Sequence, residues 1–412
     1  MSVGILQIPG VCAPAYNKLY FVVSGSMSAQ NNYKLIALIK DLSGNTIAKV
    51  KQPTDATYTT NAAFDLHRII ENYVTQTIDI GAIVTTKASS NYLAYTVEFG
   101  EEYGSPTTAE YYYGTVTGTL LSPNIALSNK ESLAFNSSDY FLGSGTRLFL
   151  NKYKGVRKVF NTSKSFLYFM QELSNSSSLV QNIGVVAYDI AGNVIATTEI
   201  IQPYGGTSDS EVFLYLPSGP ANLNLILQSN LSSGTQGAVI PAATYRYEIK
   251  LIFNSTSYFF SEVMNFTVIS NCGQYDNYPV YFLGQHGQVE LWNFNKKSYK
   301  NSEISRKVYI SDIGRFLTAT SFGFTNQDRQ ETQYDTEVSD SVTVNSDIMS
   351  DAEYLFMKEL IESPQVWVLD GSDLLPVTIT DNTYVLNKKV NSKLFNFSFT
   401  FKYSSALKLQ RY

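Results

Sequence analysis

The sequence predicts an all-β protein: tandem β-sandwich domains in two related copies, then a C-terminal β domain carrying one packed α-helix. Three observations carry this. Aromatic residues make up 14% of the 412, with 30 Tyr and 24 Phe but only 2 Trp. Such residues, with Thr, Val and Ile, suit a pleated, half-buried surface. A turn-centred pattern occurs twice, about 150 residues apart. Many short apolar runs are separated by turn signals at short intervals, as in sandwiches.

The repeat centres on Asp41 to Ala48 and Asp189 to Ala196. Its shared pattern is Asp, an aliphatic, a small residue, Gly-Asn, one residue, then Ile-Ala, running on to Gln52-Pro53 and Gln202-Pro203. Gly and Asn tolerate the positive φ of tight hairpin turns. Apolar runs precede each turn, Leu35 to Ile39 and Ile183 to Tyr188. Pro then ends the following strand, because it cannot donate to a ladder. The likeness extends outwards. Leu19 to Val23 corresponds to Phe166 to Met170, and Tyr95 to Phe99 corresponds to Tyr247 to Leu251.

These correspondences place sandwich domain 1 at 1–120, an irregular linker at 121–148 and sandwich domain 2 at 149–272. A helix is expected in the first copy from Asp65 to Tyr73, with Asp65 as N-cap and Leu66, Ile69, Ile70 and Tyr73 on one face.

The C-terminal domain, 273–412, opens with two β-prone runs, Pro279 to Leu283 and Val289 to Phe294. A helix is predicted over 351–362. Ser350 and Glu353 form a capping-box pattern, Ala352, Leu355, Phe356 and Leu360 an apolar stripe, and Pro364 follows the stop. Val366 to Leu369, Asp370-Gly371 and Val377 to Thr380 read as strand, turn, strand. In the last strand, Phe395, Phe397, Phe399, Phe401 and Tyr403 alternate with Asn396, Ser398, Thr400 and Lys402. One face is aromatic and the other polar, so the aromatic face should pack against the helix. The stretch from Asn326 to Ser350 is polar and acidic and reads as a long loop or extended arm.

Composition excludes several function classes. Charged residues are 16%, against about 25% in typical globular domains. Lys+Arg 30 against Asp+Glu 35 leaves a net charge of -5, so no basic excess is available to neutralise phosphates. No nucleic-acid partner is expected. No apolar run approaches about 18 residues, so no membrane insertion is expected. The first 17 residues lack the basic and apolar regions of a signal peptide.

No catalytic, cofactor-binding or metal-ligating residue is assigned, and no cofactor is expected. Glu101 and Glu102 are adjacent on a strand and point to opposite faces, which does not suit paired acid–base chemistry. His67 reads as a core-edge residue and His286 as a turn residue; neither has a neighbouring nucleophile or second His. Asp335, Glu337 and Asp340 lack calcium-loop spacing and read as a solvated arm. Cys12 and Cys272 allow one bridge or two reduced thiols. Asn136, Asn161, Asn175, Asn230, Asn254, Asn265 and Asn396 head Asn-x-Ser/Thr triplets, as a Ser/Thr/Asn-rich chain does by chance. Tyr111, Tyr112 and Tyr113 could stack on sugars, but strand aromatics more often serve a core or an interface.

Four segments together carry a family likeness. The first is Pro14 to Asn17 leading to Tyr20 to Val23, then Val50 to Pro53 and Phe64 to Tyr73. The second is Val97 to Tyr103. The third is Tyr281 to Gly284 with Gly287, Trp292 to Phe294 and Ser305 to Lys307. The fourth is Phe356 to Leu360, Ser363 to Trp367, Pro376 to Asn382 and Phe395 to Tyr403. In these the chain resembles structural tail or baseplate-type virion proteins of tailed phages infecting Bacteroidetes-group bacteria. The resemblance implies a non-enzymatic virion building block in the tail region, made in the host bacterial cytoplasm, and brings no catalytic residues with it. Its expected partners are copies of itself in a symmetric ring or fibre base, other virion tail proteins and host surface glycan. The alternatives are a glycan-binding adhesin and a head-attached fibre component.

Overall fold

The computed structural model describes residues 3–104, 109–136, 138–141, 148–171, 180–201, 213–234, 237–253, 261–270, 273–312, 314–381, 396–404 and 407–408. The chain is all-β and sandwich-like, with few and mostly short helices. It divides into two compact units, one of residues 1–270 with 283–290, the other of 271–282 with 291–412.

The first half of the first unit contains β1 (Gly4–Gln7), β2 (Tyr20–Ser24), β3 (Lys34–Asp41), β4 (Thr46–Gln52), β5 (Asn61–Asp65), α1 (His67–Ile70), β6 (Thr86–Lys87), β7 (Tyr92–Tyr103), β8 (Ala109–Val116) and β9 (Leu120–Pro123). One sheet has the order β4-β3-β7-β8, with β9 also pairing β7; the other has the order β1-β2-β5. Inward residues from both sheets close a core in which Phe99 meets Phe21 and Phe64, each at a ring separation of 6.0 Å.

Then follow α2 (Asn129–Ala134) and α3 (Ser138–Phe141), in the stretch read from sequence as irregular. Ser128 and Glu131 cap α2 reciprocally.

The second half contains β10 (Arg157–Val159), β11 (Phe166–Met170), β12 (Val180–Tyr188), β13 (Val194–Ile201), β14 (Phe213–Pro217), α4 (Pro220–Leu223), β15 (Leu231–Gly234), β16 (Arg246–Phe253) and β17 (Met264–Val268). Its sheets have the orders β10-β17-β16-β12-β13-β15 and β11-β14-β6. The strands β4-β3-β7-β8 therefore recur as β13-β12-β16-β17, and β2-β5 recurs as β11-β14. The two turns agree bond for bond. Asn45 N–H donates to Asp41 Oδ1 at 2.8 Å and Asn193 N–H to Asp189 Oδ1 at 2.8 Å. Positive φ falls on Gly44 and Gly192. Asn45 and Asn193 do not share it, contrary to the expectation from sequence; their amides instead donate to Asp41 and Asp189. This is a three-residue loop closed by a glycine bulge.

The two copies share a strand. β6 belongs by sequence to the first, yet it pairs with β14 of the second, Thr86 against Tyr215 and Lys87 against Leu214.

The expected helix from Asp65 to Tyr73 is shorter and differently capped. One α turn, α1, is followed by a 3-10 turn over Glu71–Tyr73. The N-cap is Leu66; Asp65 ends β5 and accepts from Leu19 N–H at 3.2 Å. Leu66 and Ile70 are buried, but Tyr73 is exposed, because the 3-10 turn rotates it off the α-helical face.

The second unit holds β18 (Tyr278–Leu283) and β19 (Val289–Phe294), whose turn-side ends belong to the first unit, and then β20 (Tyr299–Ile310), β21 (Arg315–Thr318), β22 (Ser321–Gly323), β23 (Glu331–Asn345), α5 (Asp351–Glu362), β24 (Val366–Asp370), β25 (Asp373–Ile379), β26 (Ser398–Tyr403) and β27 (Leu407–Lys408). The large sheet has the order β19-β18-β24-β25-β26-β23-β20, with β27 also on β23.

Helix α5 spans the predicted residues with both bonds of its capping box formed. Its buried residues are Glu353, Tyr354, Phe356, Met357, Glu359 and Leu360, a broad arc centred on the i, i+3, i+4, i+7 set Glu353, Phe356, Met357 and Leu360. Ala352 and Leu355 lie outside that arc and are exposed, which corrects the expected stripe. Phe397, Phe399 and Phe401 are buried, and Tyr354 of α5 meets Phe397 edge to face at 6.1 Å, as the alternation predicts. Phe395 lies outside the described residues.

Most of the expected loop from Asn326 to Ser350 is the 15-residue strand β23. It pairs with β20 along the full length of β20.

Candidate functional site

Among the described residues no group of three or more His, Cys, Asp or Glu side chains could hold a metal ion. Of the acidic and basic side chains singled out from sequence, Glu101, Glu102, His67, His286, Asp335 and Asp340 have partners of their own. Glu101 accepts from Ser26 N–H at 2.6 Å and Tyr33 Oη at 2.8 Å, while Glu102 pairs with Lys51. His67 is buried with Nδ1 2.7 Å from Asp65 Oδ1. His286 lies in the turn between β18 and β19, its Nδ1–H donating to Leu150 carbonyl at 3.0 Å, and burial lowers its pKa. Asp335 pairs with Lys307 at 3.0 Å, and Asp340 accepts from Ser302 Oγ at 2.6 Å.

Cys12 is a buried thiol, pushed up to about 12 by burial; Cys272 lies outside the described residues. Tyr111 stacks on Tyr103 at 4.9 Å, and the side chains of Tyr112 and Tyr113 lie outside the described residues.

A buried polar cluster had no signal in the sequence. Arg157 donates to both carboxylate oxygens of Glu290, through Nη1 and, at 3.2 Å, through Nη2. Asn151 Nδ2 adds a bond to the same carboxylate at 3.2 Å, and Asn151 Oδ1 accepts Tyr168 N–H at 2.7 Å. The groups come from distant parts of the chain, so spacing could not reveal them. The Glu290 carboxylate is buried and committed to Arg157 and Asn151, so it ties distant segments of the first unit together rather than facing solvent.

The surface offers two features of another kind. The first is the β20–β23 ribbon. All twelve residues of β20 are exposed. At about 3.3 Å per residue that strand runs about 40 Å. Its tip is the small hairpin β21–β22, where Phe316 and Phe322 meet edge to face at 5.2 Å. Phe316, Phe322 and Phe324 remain 74%, 63% and 64% exposed, and Ile310 is 74% exposed. Globular surfaces rarely gather that much apolar area without a partner for it. A two-stranded ribbon is also marginal in water by itself.

The second is an open cleft of about 580 Å3 beside β5. Val22, Gln52, Pro53, Asp55, Tyr58 and Ala63 line it. Asp55 Oδ1 accepts N–H groups of Thr57 and Tyr58 at 2.8 and 2.9 Å, which lowers its pKa and shapes the loop. That carboxylate is committed to the loop, so the cleft presents backbone edge and an exposed Tyr58 ring rather than acid–base chemistry.

No family model and no curated protein matches the chain.

Proposed function

We propose that the chain is a non-enzymatic structural subunit of a phage virion, in the tail or baseplate region, that assembles with copies of itself and connects other tail proteins or fibres. The observation that carries this reading is the exposed ribbon with its aromatic tip. An arm of that length and apolarity is stabilised by burial against a neighbour. The low charge and abundant Tyr and Phe suit assembly interfaces. The resemblance to tail and baseplate-type proteins points the same way.

Mass spectrometry of washed virions tests the reading. The expected result is the chain present in many copies per particle. Its absence from particles, with the purified chain a monodisperse monomer, would overturn the proposal.

One observation favours the glycan-binding alternative: Tyr58 is an exposed ring at the mouth of the β5 cleft. Retention on host surface polysaccharide, lost in Tyr58→Ala, would move the reading to an adhesin.

A further inference from the structure

The repeat provides an internal control for which strand edges are complete. In the second copy, β14 is paired on one side by β11 and on the other by β6. The matching strand of the first copy, β5, is paired by β2 and ends its sheet. The outer strand of the larger sheet shows the same contrast. β13 is covered by β15, whereas its counterpart β4 ends its sheet. The faces differ as well. All five residues of β14 are buried, whereas Ala63 of β5 is exposed.

The atoms at the β5 edge can be named. Asn61 N–H donates to Tyr58 carbonyl at 2.8 Å, and Asn61 carbonyl accepts from Asp55 N–H at 2.8 Å. Both groups therefore point away from β2. Backbone direction alternates along an antiparallel strand, so Ala63 points the same way. Among the described residues neither its N–H nor its carbonyl has a hydrogen-bond partner. In the second copy, the matching strand β14 receives β6 at Leu214 and Tyr215. β5 contains neither Lys nor Pro, the residues that commonly guard an open edge. The cleft lies directly beside it.

We propose that the β5 edge is a strand acceptor and that its occupant is a second copy of this chain, which lays the edge of its own β20 along β5 as β6 lies along β14. β20 is the terminal strand of its sheet and is exposed along all twelve residues. On β5 the Asp55–Tyr58 loop holds Asn61, so the open stretch to be paired begins at Ala63 and is about the length that the two-residue β6 covers on β14. Acceptor and donor are different patches, so the contact is heterologous. Such contacts propagate head to tail and close into a ring where the rotation allows. The choice of a second copy rests on the structural-subunit reading; the open edge does not.

The test uses the full-length chain and purified particles. A photo-crosslinking benzoylphenylalanine replaces Ala63, whose side chain faces solvent, and crosslinked peptides are identified by mass spectrometry. The expected product joins position 63 of one copy to residues 299–310 of another. In parallel, Ala63→Pro removes the outward N–H at an edge position where Pro is tolerated. It should abolish the oligomer seen by light scattering while leaving the far-ultraviolet dichroism unchanged. Crosslinks to another segment or another protein, or no crosslink between copies, would overturn the proposal even if Ala63→Pro failed to fold. A chain found in virions but crosslinked elsewhere would sink the strand-acceptor inference alone; absence from virions would sink the functional reading.

Discussion

Arg157 grips Glu290 across 133 residues of sequence inside the first unit, with side chains 11% and 1% exposed. A buried pair of this kind adds little over well-packed apolar residues, but leaving one member alone is costly. Glu290→Leu strands a buried guanidinium and should lower first-unit stability by about 3–5 kcal/mol. The double change Arg157→Met with Glu290→Leu should recover most of that. Denaturant unfolding of the three variants checks it; equal losses in single and double variants would show that packing at the site, rather than charge, decides.

Glu110 supplies a pH signature. Side-chain hydrogen bonds from Lys49 and Lys51 hold its carboxyl at about 2. Because the folded value lies below the ordinary value of about 4.3, the contribution is complete above that pH and is lost as pH falls toward about 2. Lys49→Gln with Lys51→Gln should move the Glu110 titration up toward the ordinary value, as carboxyl NMR would read. The site is close to solvent, so added salt should shrink the difference. A titration unmoved by the double change would contradict the assigned cause.

The final strand supports a paired comparison. Phe399 is buried and meets Phe294 at 5.1 Å. Phe399→Ala should destabilise the second unit by about 3–5 kcal/mol. Ser398→Ala, on the exposed face, should be nearly silent. Thr400→Ala should fall between them, because Thr400 Oγ1 bonds Thr343 Oγ1 at 2.9 Å and a typical hydrogen bond contributes about 1 kcal/mol. Equal shifts for Phe399 and Ser398 would reverse the assignment of faces.

These elements show what was legible in the sequence. The Phe397–Phe401 alternation and the Ser350–Glu353 box are local, so their periods and spacings identify them before any contact is known. The turn repeat was legible too, down to Gly44 and Gly192. The role of Asn45 was not, since its bond to Asp41 leaves no mark on backbone preference. The ribbon leaves no mark in the sequence, because neither face of β20 is buried and no apolar period results. The Arg157–Glu290 pair and the β6–β14 pairing are long-range, and no local pattern encodes such contacts. Of the candidate surfaces, only the acidic strand of the arm carries a local signal, and its polar composition is that of a loop.

The arm gives the last prediction. Phe316, Phe322 and Phe324 are mostly exposed, so the isolated chain gains little from them. Replacing all three with Ser should leave the thermal midpoint of the monomer almost unchanged. Burying a Phe side chain contributes about 1.5–3 kcal/mol, so an assembly that covers three of them should lose several kcal/mol and weaken by orders of magnitude. Sedimentation of the triple variant beside the wild-type chain separates the two effects. A large drop in monomer stability would mean that the tip packs on its own molecule. Undiminished assembly would mean that the aromatic tip is not part of the interface, and the ribbon would then need another reason to carry its apolar residues in water.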